Sequence, residues 1–159
     1  MIGVFDSGFG GLTVLKEFIK DLPEYDYVYL GDNARTPYGN RTHDTIKKYT
    51  EQGLNFLFAQ GCPLIIIACN TASAQALREL QEKYLRTPNI IDKKILGVIK
   101  PLVEAAAHHS KNGRIGIIGT RSTIKSKTYE RELHRFNPNF NIYSQPAPLL
   151  VPLIEEGWA

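Results

Sequence analysis

The chain has 159 residues, of which 43% are hydrophobic and 22% charged, and its formal net charge is +3. This composition is that of a globular domain, and the scattered cationic residues do not form the basic patch of a nucleic-acid-binding protein. The longest apolar run, 64–69, is too short to cross a membrane, and the N-terminus does not resemble a signal peptide. Two cysteines without metal-binding spacing indicate free thiols in a reducing, cytoplasmic compartment.

Apolar β-forming runs alternate with helical patterns along the chain. Strands are predicted at 2–5, 27–31, 64–69, 95–99 and 114–120, and helices at 12–22, 42–60, 72–85, 101–110 and 122–136. The strand runs are continuously apolar, which is typical of strands covered on both faces. Regular alternation of strand and helix predicts right-handed βαβ units, and therefore an α/β fold with a parallel, doubly wound sheet. Thr42 and Ser122 are predicted helix-start residues.

The first strand leads into the glycine-rich stretch "FDSGFGG" at 5–11. Its glycines permit a tight turn that exposes backbone N–H groups at a helix start, which suits an anion. The glycine spacing is not that of a dinucleotide-binding loop. A plain strand-to-helix turn, capped by Asp6 or Ser7, is the alternative interpretation.

The second strand is followed by "GDNARTPYGN" at 31–40, a polar loop with proline and glycine. Because the carboxyl edge of a parallel sheet is where such folds bind ligands, this loop is a candidate wall of a site. A long surface connection is an equally good interpretation of the same residues.

The third strand ends in "ACNTAS" at 68–73, where a thiol meets the start of a helix. The helix dipole and free N–H groups favour a thiolate there, which predicts a lowered pKa for Cys69. Asn70 and Thr71 add polar groups at the same edge, against the alternative of a buried structural cysteine. Cys62 lies at the other end of the strand, about 23 Å away, and is predicted to be structural. The four histidines, which fall in helical patterns away from these motifs, are predicted surface residues.

A short repeat relates "IGVFDSG" at 2–8 to "IGIIGTR" at 115–121. A match this short also arises by chance; taken as a true repeat, it predicts two similar units, a first domain at 1–98 and the opening part of a second at 99–159. At the same spacing, a counterpart of Cys69 would fall near position 182, about 23 residues beyond the last residue given.

Six motifs in this order resemble the N-terminal part of bacterial glutamate racemases, members of the Asp/Glu racemase superfamily. They are "GVFDSGFGG", "GDNARTPYGN", "ACNTASA", "GVIKP", "IGIIGTRSTI" and "VPLIEEG". The resemblance implies a racemase that makes D-glutamate for peptidoglycan without pyridoxal phosphate, metal or other cofactor. It also implies a parallel, doubly wound α/β fold.

The resemblance further implies the roles of individual residues. Cys69 corresponds to one of two catalytic thiols, and Asp6 to the carboxylate that manages the proton of that thiol. The residues expected to bind the substrate are Ser7, Pro37, Tyr38, Gly39, Asn70, Thr71, Thr120, Thr123 and Glu155. Inversion of a carbon centre by two bases requires a proton-transfer group on each face. The second thiol of the family belongs to a Gly-Cys-Thr-His motif, which these 159 residues do not contain.

Several interpretations of this departure stay open. The chain is either a fragment of a longer racemase or a truncated gene product, and alone it is not expected to racemise glutamate. A non-catalytic or vestigial glutamate-binding domain is the alternative function. A cysteine hydrolase requires a base paired with the thiol, and no histidine lies in the converging motifs. The expected partner is glutamate, with no nucleic acid and no membrane, and a homodimer is left open.

Overall fold

The computed structural model describes residues 1–85 and 93–158. Its first sheet consists of four parallel strands in the order β2-β1-β3-β4. The strands are β1 (Ile2–Asp6), β2 (Tyr27–Gly31), β3 (Leu64–Ile67) and β4 (Lys94–Gly97). The predicted parallel, doubly wound sheet is confirmed, since each strand is joined to the next by a helical crossover.

The crossovers of this sheet are three helices, α1 (Gly11–Asp21), α2 (His43–Ala59) and α3 (Asn70–Leu85). Thr42 caps α2 as predicted, with its hydroxyl oxygen accepting a hydrogen bond from the Thr45 N–H at 3.3 Å. The main core lies between the sheet and the apolar faces of α2 and α3, where Leu54, Leu57 and Ile65 are fully buried. Burial of this many aliphatic side chains is the principal stabilising contribution to the unit.

A second, smaller sheet pairs β5 (Arg114–Gly119) with β6 (Asn141–Pro146) in parallel. The helices around it are α4 (Ile99–His109), α5 (Arg121–Lys125), α6 (Thr128–Phe136) and α7 (Leu150–Glu155). One helix, α1, joins β1 to β2, whereas two helices, α5 and α6, join β5 to β6. The division into domains at residue 98 stays a prediction.

Three features of the second half differ from the sequence-based expectation. The single helix predicted at 122–136 is wrong, because Lys127 takes a left-handed conformation (φ 53°) that separates α5 from α6. The cap of α5 is Thr120 and not Ser122. Strand β6 and helix α7 were not predicted. All four histidines are exposed, as expected. Among the described residues no helix has the length and apolar character needed to span a membrane.

The topology determines where a ligand can enter. From β1 the chain moves to β2 on one side and then crosses to β3 on the other side. The helices that follow β1 and β3 therefore leave the sheet on opposite faces, and a crevice opens between their starts. Asp6 ends β1 and Cys69 follows β3 by two residues, so both residues flank this crevice.

Candidate active site

A cavity of about 800 Å³ opens at the carboxyl edge of β1 and β3 and extends to the second sheet. Every residue that the sequence predicted for catalysis or substrate binding lines it. Parallel strands present their carboxyl ends at one edge, which explains why motifs far apart in sequence meet here. The roles of these residues are not tested by their positions, and they stay predictions.

Cys69 lies between β3 and α3 and is only 6% exposed. Its Sγ is 3.1 Å from the Ser7 Oγ, and it accepts a hydrogen bond from the Ala72 N–H at 3.3 Å. The first contact joins the turn after β1 to the thiol after β3. The second uses a free N–H in the first turn of α3, the kind of donor that stabilises a thiolate.

The predicted lowering of the thiol pKa is wrong. Burial, and after it the neighbouring carboxylate of Asp6, raise the pKa of Cys69. The hydrogen bonds from Ser7 and Ala72 act in the opposite direction but are outweighed. A buried thiol beside a negative charge is disfavoured as an anion for both reasons.

Asp6 is 5% exposed and is held by the start of α1. Its Oδ2 accepts hydrogen bonds from the N–H groups of Gly8 and Gly11, at 3.1 and 3.0 Å. A Cβ at position 11 would lie 2.7 Å from the Asp6 Cβ, so the helix approaches this closely only with glycine there. The structural and functional interpretations of the glycine-rich turn are therefore compatible, because the capping carboxylate also faces the cavity.

The loop after β2 is fixed by a buried tyrosine. Tyr38 is 1% exposed, and its hydroxyl donates to the Asp32 Oδ2 at 2.5 Å. Arg35 donates to the same oxygen at 2.7 Å, and its guanidinium lies 4.2 Å from the centre of the Tyr49 ring. Because the Tyr38 hydroxyl donates its proton to Asp32, it is not free to donate to a ligand. Sequence reasoning did not single out Asp32 or Arg35, although both stand in the quoted motif.

Three threonine hydroxyls close the far side of the cavity. Thr71 on α3 lies 3.0 Å from the Oγ1 of Thr120 and 3.2 Å from that of Thr123, and these last two are 2.9 Å apart. The cluster joins the start of α3 to the start of α5, and so joins the two sheets across the site. Hydroxyls both donate and accept, so they can turn from one another toward a carboxylate.

Two further predicted residues lie at the rim. The Asn70 Oδ1 accepts a hydrogen bond from the Tyr129 hydroxyl at 2.5 Å. At the end of α7, a carboxylate oxygen of Glu155 approaches within 3.8 Å of the Cβ position that a side chain at Gly8 would occupy. The described residues that line the cavity include no lysine, arginine or histidine. An anionic ligand would therefore rely on hydroxyls and backbone N–H groups.

The parallel, doubly wound sheet places the Cys69 thiol and the Asp6 carboxylate at the carboxyl edge of neighbouring strands, on the wall of one cavity. The Asp/Glu/Hydantoin racemase family model matches residues 12–146, and the chain belongs to this family. The glutamate racemases of Persephonella marina and Geobacter metallireducens are 48% and 46% identical to it, over 156 and 157 residues. These alignments cover 98% and 99% of the chain but only 57% and 56% of the relatives.

The solved structures that resemble this chain include glutamate racemases as well. The glutamate racemase isoform of Bacillus anthracis superposes with a TM-score of 0.89 at 39% identity, covering 98% of this chain and 56% of that one. The Francisella tularensis glutamate racemase, solved with D-glutamate, gives 0.87 at 42% identity, covering 99% of this chain and 56% of that one. The resemblance to the N-terminal part of bacterial glutamate racemases is confirmed. The chain spans little more than half the length of the relatives it matches.

Proposed function

We propose that the chain is the portion of a cofactor-independent glutamate racemase that carries one of two proton-transfer thiols. The observation that carries the proposal is the Cys69 thiol on the cavity wall, with the Asp6 carboxylate beside it. The similarity to glutamate racemases supports glutamate as the substrate. The product D-glutamate would serve peptidoglycan synthesis, and the two free thiols suit a reducing cytoplasm.

Cys69 would act on one face of the substrate. Asp6 first takes the thiol proton. The thiolate then takes the α-proton of glutamate, so that the S–H bond forms as the C–H bond breaks. The electron pair left on the α-carbon is delocalised into the adjacent carboxylate. Hydrogen bonds from Ser7 and from the Ala72 N–H stabilise the thiolate while it exists.

Binding of the substrate would use the neutral groups of the cavity. The hydroxyls of Thr71, Thr120 and Thr123 and the side chain of Asn70 can hold the charged groups of an amino acid. The main chain at Pro37–Gly39 and the Glu155 carboxylate would complete the wall. A carboxylate such as Glu155 suits the ammonium group of the substrate.

Inversion also needs a proton donor on the opposite face. Cys69 is the only thiol among the described residues that line the cavity. Cys62 is 1% exposed and packs beside Gly3 in the core of the first sheet, away from the site. We therefore expect the 159-residue chain alone to lack useful racemase turnover. The same observation favours the alternative, a glutamate-binding unit without turnover.

The test is α-hydrogen exchange by the purified chain in D₂O, followed by mass spectrometry, with chirality followed by circular dichroism. We expect slow deuterium incorporation with retention of configuration, abolished in Cys69→Ser and preserved in the matched control Cys62→Ala. Rapid racemisation that depends on Cys69 would contradict the need for a second donor. Exchange that survives Cys69→Ser would contradict the role of the thiol. Saturable glutamate binding without exchange would favour the alternative.

A further inference from the structure

The hydroxyl of Tyr29 contacts two residues that line the cavity, Asp6 and Gly8. Tyr29 lies on β2, and the β1–β2 register pairs Asp6 with Gly31. The hydroxyl donates to the Gly8 carbonyl at 2.9 Å and lies 3.5 Å from the Asp6 Oδ2. Tyr29 is not among the described residues that line the cavity. It therefore contacts the machinery of the site without being placed to contact a ligand.

The Gly8 peptide that Tyr29 holds is connected to both functional groups. The Gly8 N–H donates to the Asp6 carboxylate at 3.1 Å. The preceding residue, Ser7, places its hydroxyl 3.1 Å from the Cys69 Sγ. A turn that rotated about Gly8 would therefore change the surroundings of the carboxylate and of the thiol together.

The glycine at position 31 of β2 leaves room for the contact between the Tyr29 hydroxyl and the Gly8 carbonyl. A Cβ at Gly31 would lie 2.6 Å from the Gly8 carbonyl oxygen and 3.1 Å from the Tyr29 ring. Any side chain at position 31 would push the carbonyl away from β2. Burial, and after it the charge of Asp6, raise the pKa of Tyr29, so its hydroxyl keeps its proton while a thiol titrates.

We infer that Tyr29 is a positioning residue for proton transfer at Cys69. Its hydrogen bond to the Gly8 carbonyl holds the turn so that Ser7 donates to the sulfur and Asp6 stays beside it. The inference rests on the proposed function, because it takes Cys69 as the acting thiol. The geometry on which it stands is independent of turnover.

The test replaces Tyr29 by phenylalanine and uses Tyr27→Phe as the matched control. Tyr27 lies on the same face of β2, and its hydroxyl donates to the carbonyls of Phe18 and Leu22 at the far end of α1. Each variant loses one tyrosine hydroxyl from the same strand. The measurement is the pH dependence of Cys69 alkylation by iodoacetamide, mapped by mass spectrometry.

We expect Tyr29→Phe to raise the apparent pKa of Cys69 by about one pH unit, because the sulfur loses a well-placed donor. Its alkylation at neutral pH should slow by about threefold to tenfold, as the thiolate fraction falls. Tyr27→Phe should stay within about twofold of the parent chain. An unchanged profile in Tyr29→Phe, or equal changes in both variants, would overturn the inference.

A second variant tests the geometry without removing the hydroxyl. Gly31→Ala displaces the Gly8 carbonyl from Tyr29, and we expect a change in the same direction as in Tyr29→Phe. An unaltered profile in a folded Gly31→Ala chain would also overturn the inference. Because alkylation needs no turnover, a shifted profile without glutamate exchange would count against the proposed function alone. Exchange with an unshifted profile would count against the positioning role alone.

Discussion

Replacement of Asp6 by asparagine separates the structural role of this side chain from its electrostatic role. One carboxylate oxygen, Oδ2, accepts hydrogen bonds from the N–H groups of Gly8 and Gly11. The amide oxygen of asparagine can accept the same two hydrogen bonds, and asparagine is as good a helix-start residue as aspartate. We therefore expect the free energy of unfolding to change by less than about 1 kcal/mol.

The effect on the thiol follows from the two causes that raise its pKa. Burial is unchanged in Asp6→Asn, but the charge that opposes the thiolate of Cys69 is removed. A like charge at such a site raises a pKa by about one unit or more, so the thiolate fraction should increase about tenfold. A thiolate of lower pKa is a weaker nucleophile, by about threefold for one unit. The net expectation is alkylation about three times faster than in the parent chain.

Proton transfer from glutamate should change in the opposite direction. If Asp6 accepts the thiol proton, its loss removes a general base, which costs about 100-fold or more in exchange rate. The assay compares iodoacetamide labelling of Cys69 with α-hydrogen exchange on the same preparations. Asp44→Asn, an exposed change of equal charge, is the control. Labelling of Cys69 that is unchanged or slower in a folded Asp6→Asn chain would refute the electrostatic argument.

Of three further expectations, the first concerns the contact between the two sheets, and the other two concern the cysteine thiols. Gly39→Ala places a Cβ 2.7 Å from the Cβ of Thr120, so urea denaturation should show that the free energy of unfolding falls by about 1–3 kcal/mol. The control is Gly10→Ala, whose Cβ would meet no atom within 4 Å, and its free energy of unfolding should change by less than about 0.5 kcal/mol. Equal losses in both variants would contradict the steric account. Since the folded pKa of Cys69 is raised, its contribution to stability is complete below the unfolded thiol pKa of about 8.5 and is lost as pH rises above it. Between about pH 8 and pH 9.5 the parent chain should therefore lose more stability than Cys69→Ala, and parallel losses would count against this. Limited labelling at neutral pH should modify Cys69 before Cys62, because only Cys69 lines the cavity, and reversed labelling would contradict the site.

The sequence alone was sufficient to predict the parallel sheet and the convergence of the motifs at one edge of it. Continuous apolar runs such as 64–67 alternate with helical patterns, and this alternation permits few topologies other than a parallel, doubly wound sheet. Once the sheet is parallel, residues that follow its strands must share one edge. Ser7, next to Asp6, could therefore be placed beside Cys69, although 62 positions separate the two residues in the sequence.

Elements that depend on weak local signals were missed. Strand β6 (Asn141–Pro146) carries polar residues and a proline, so its pattern does not differ from that of a loop. The break between α5 and α6 occurs at Lys127, which has none of the glycine or proline signals of a helix end. Strand β6 is defined by its pairing with β5, and the start of α6 is held from outside its own segment, since the Thr128 hydroxyl donates to the Ala74 carbonyl of α3 at 2.8 Å.

Only the tertiary structure decided how the site behaves electrostatically. The start of α3 is a local feature and correctly predicted a donor, the Ala72 N–H, for the sulfur. The pKa of Cys69 is nevertheless raised, because burial and the charge of Asp6 arise from residues brought in by the fold. Likewise, Asp32 holds Tyr38 and Tyr29 holds Gly8 through bonds that no spacing reveals. Local sequence specifies which donors are present, but the free energy of a buried charge depends on every group around it, and those groups are assembled only when the chain folds.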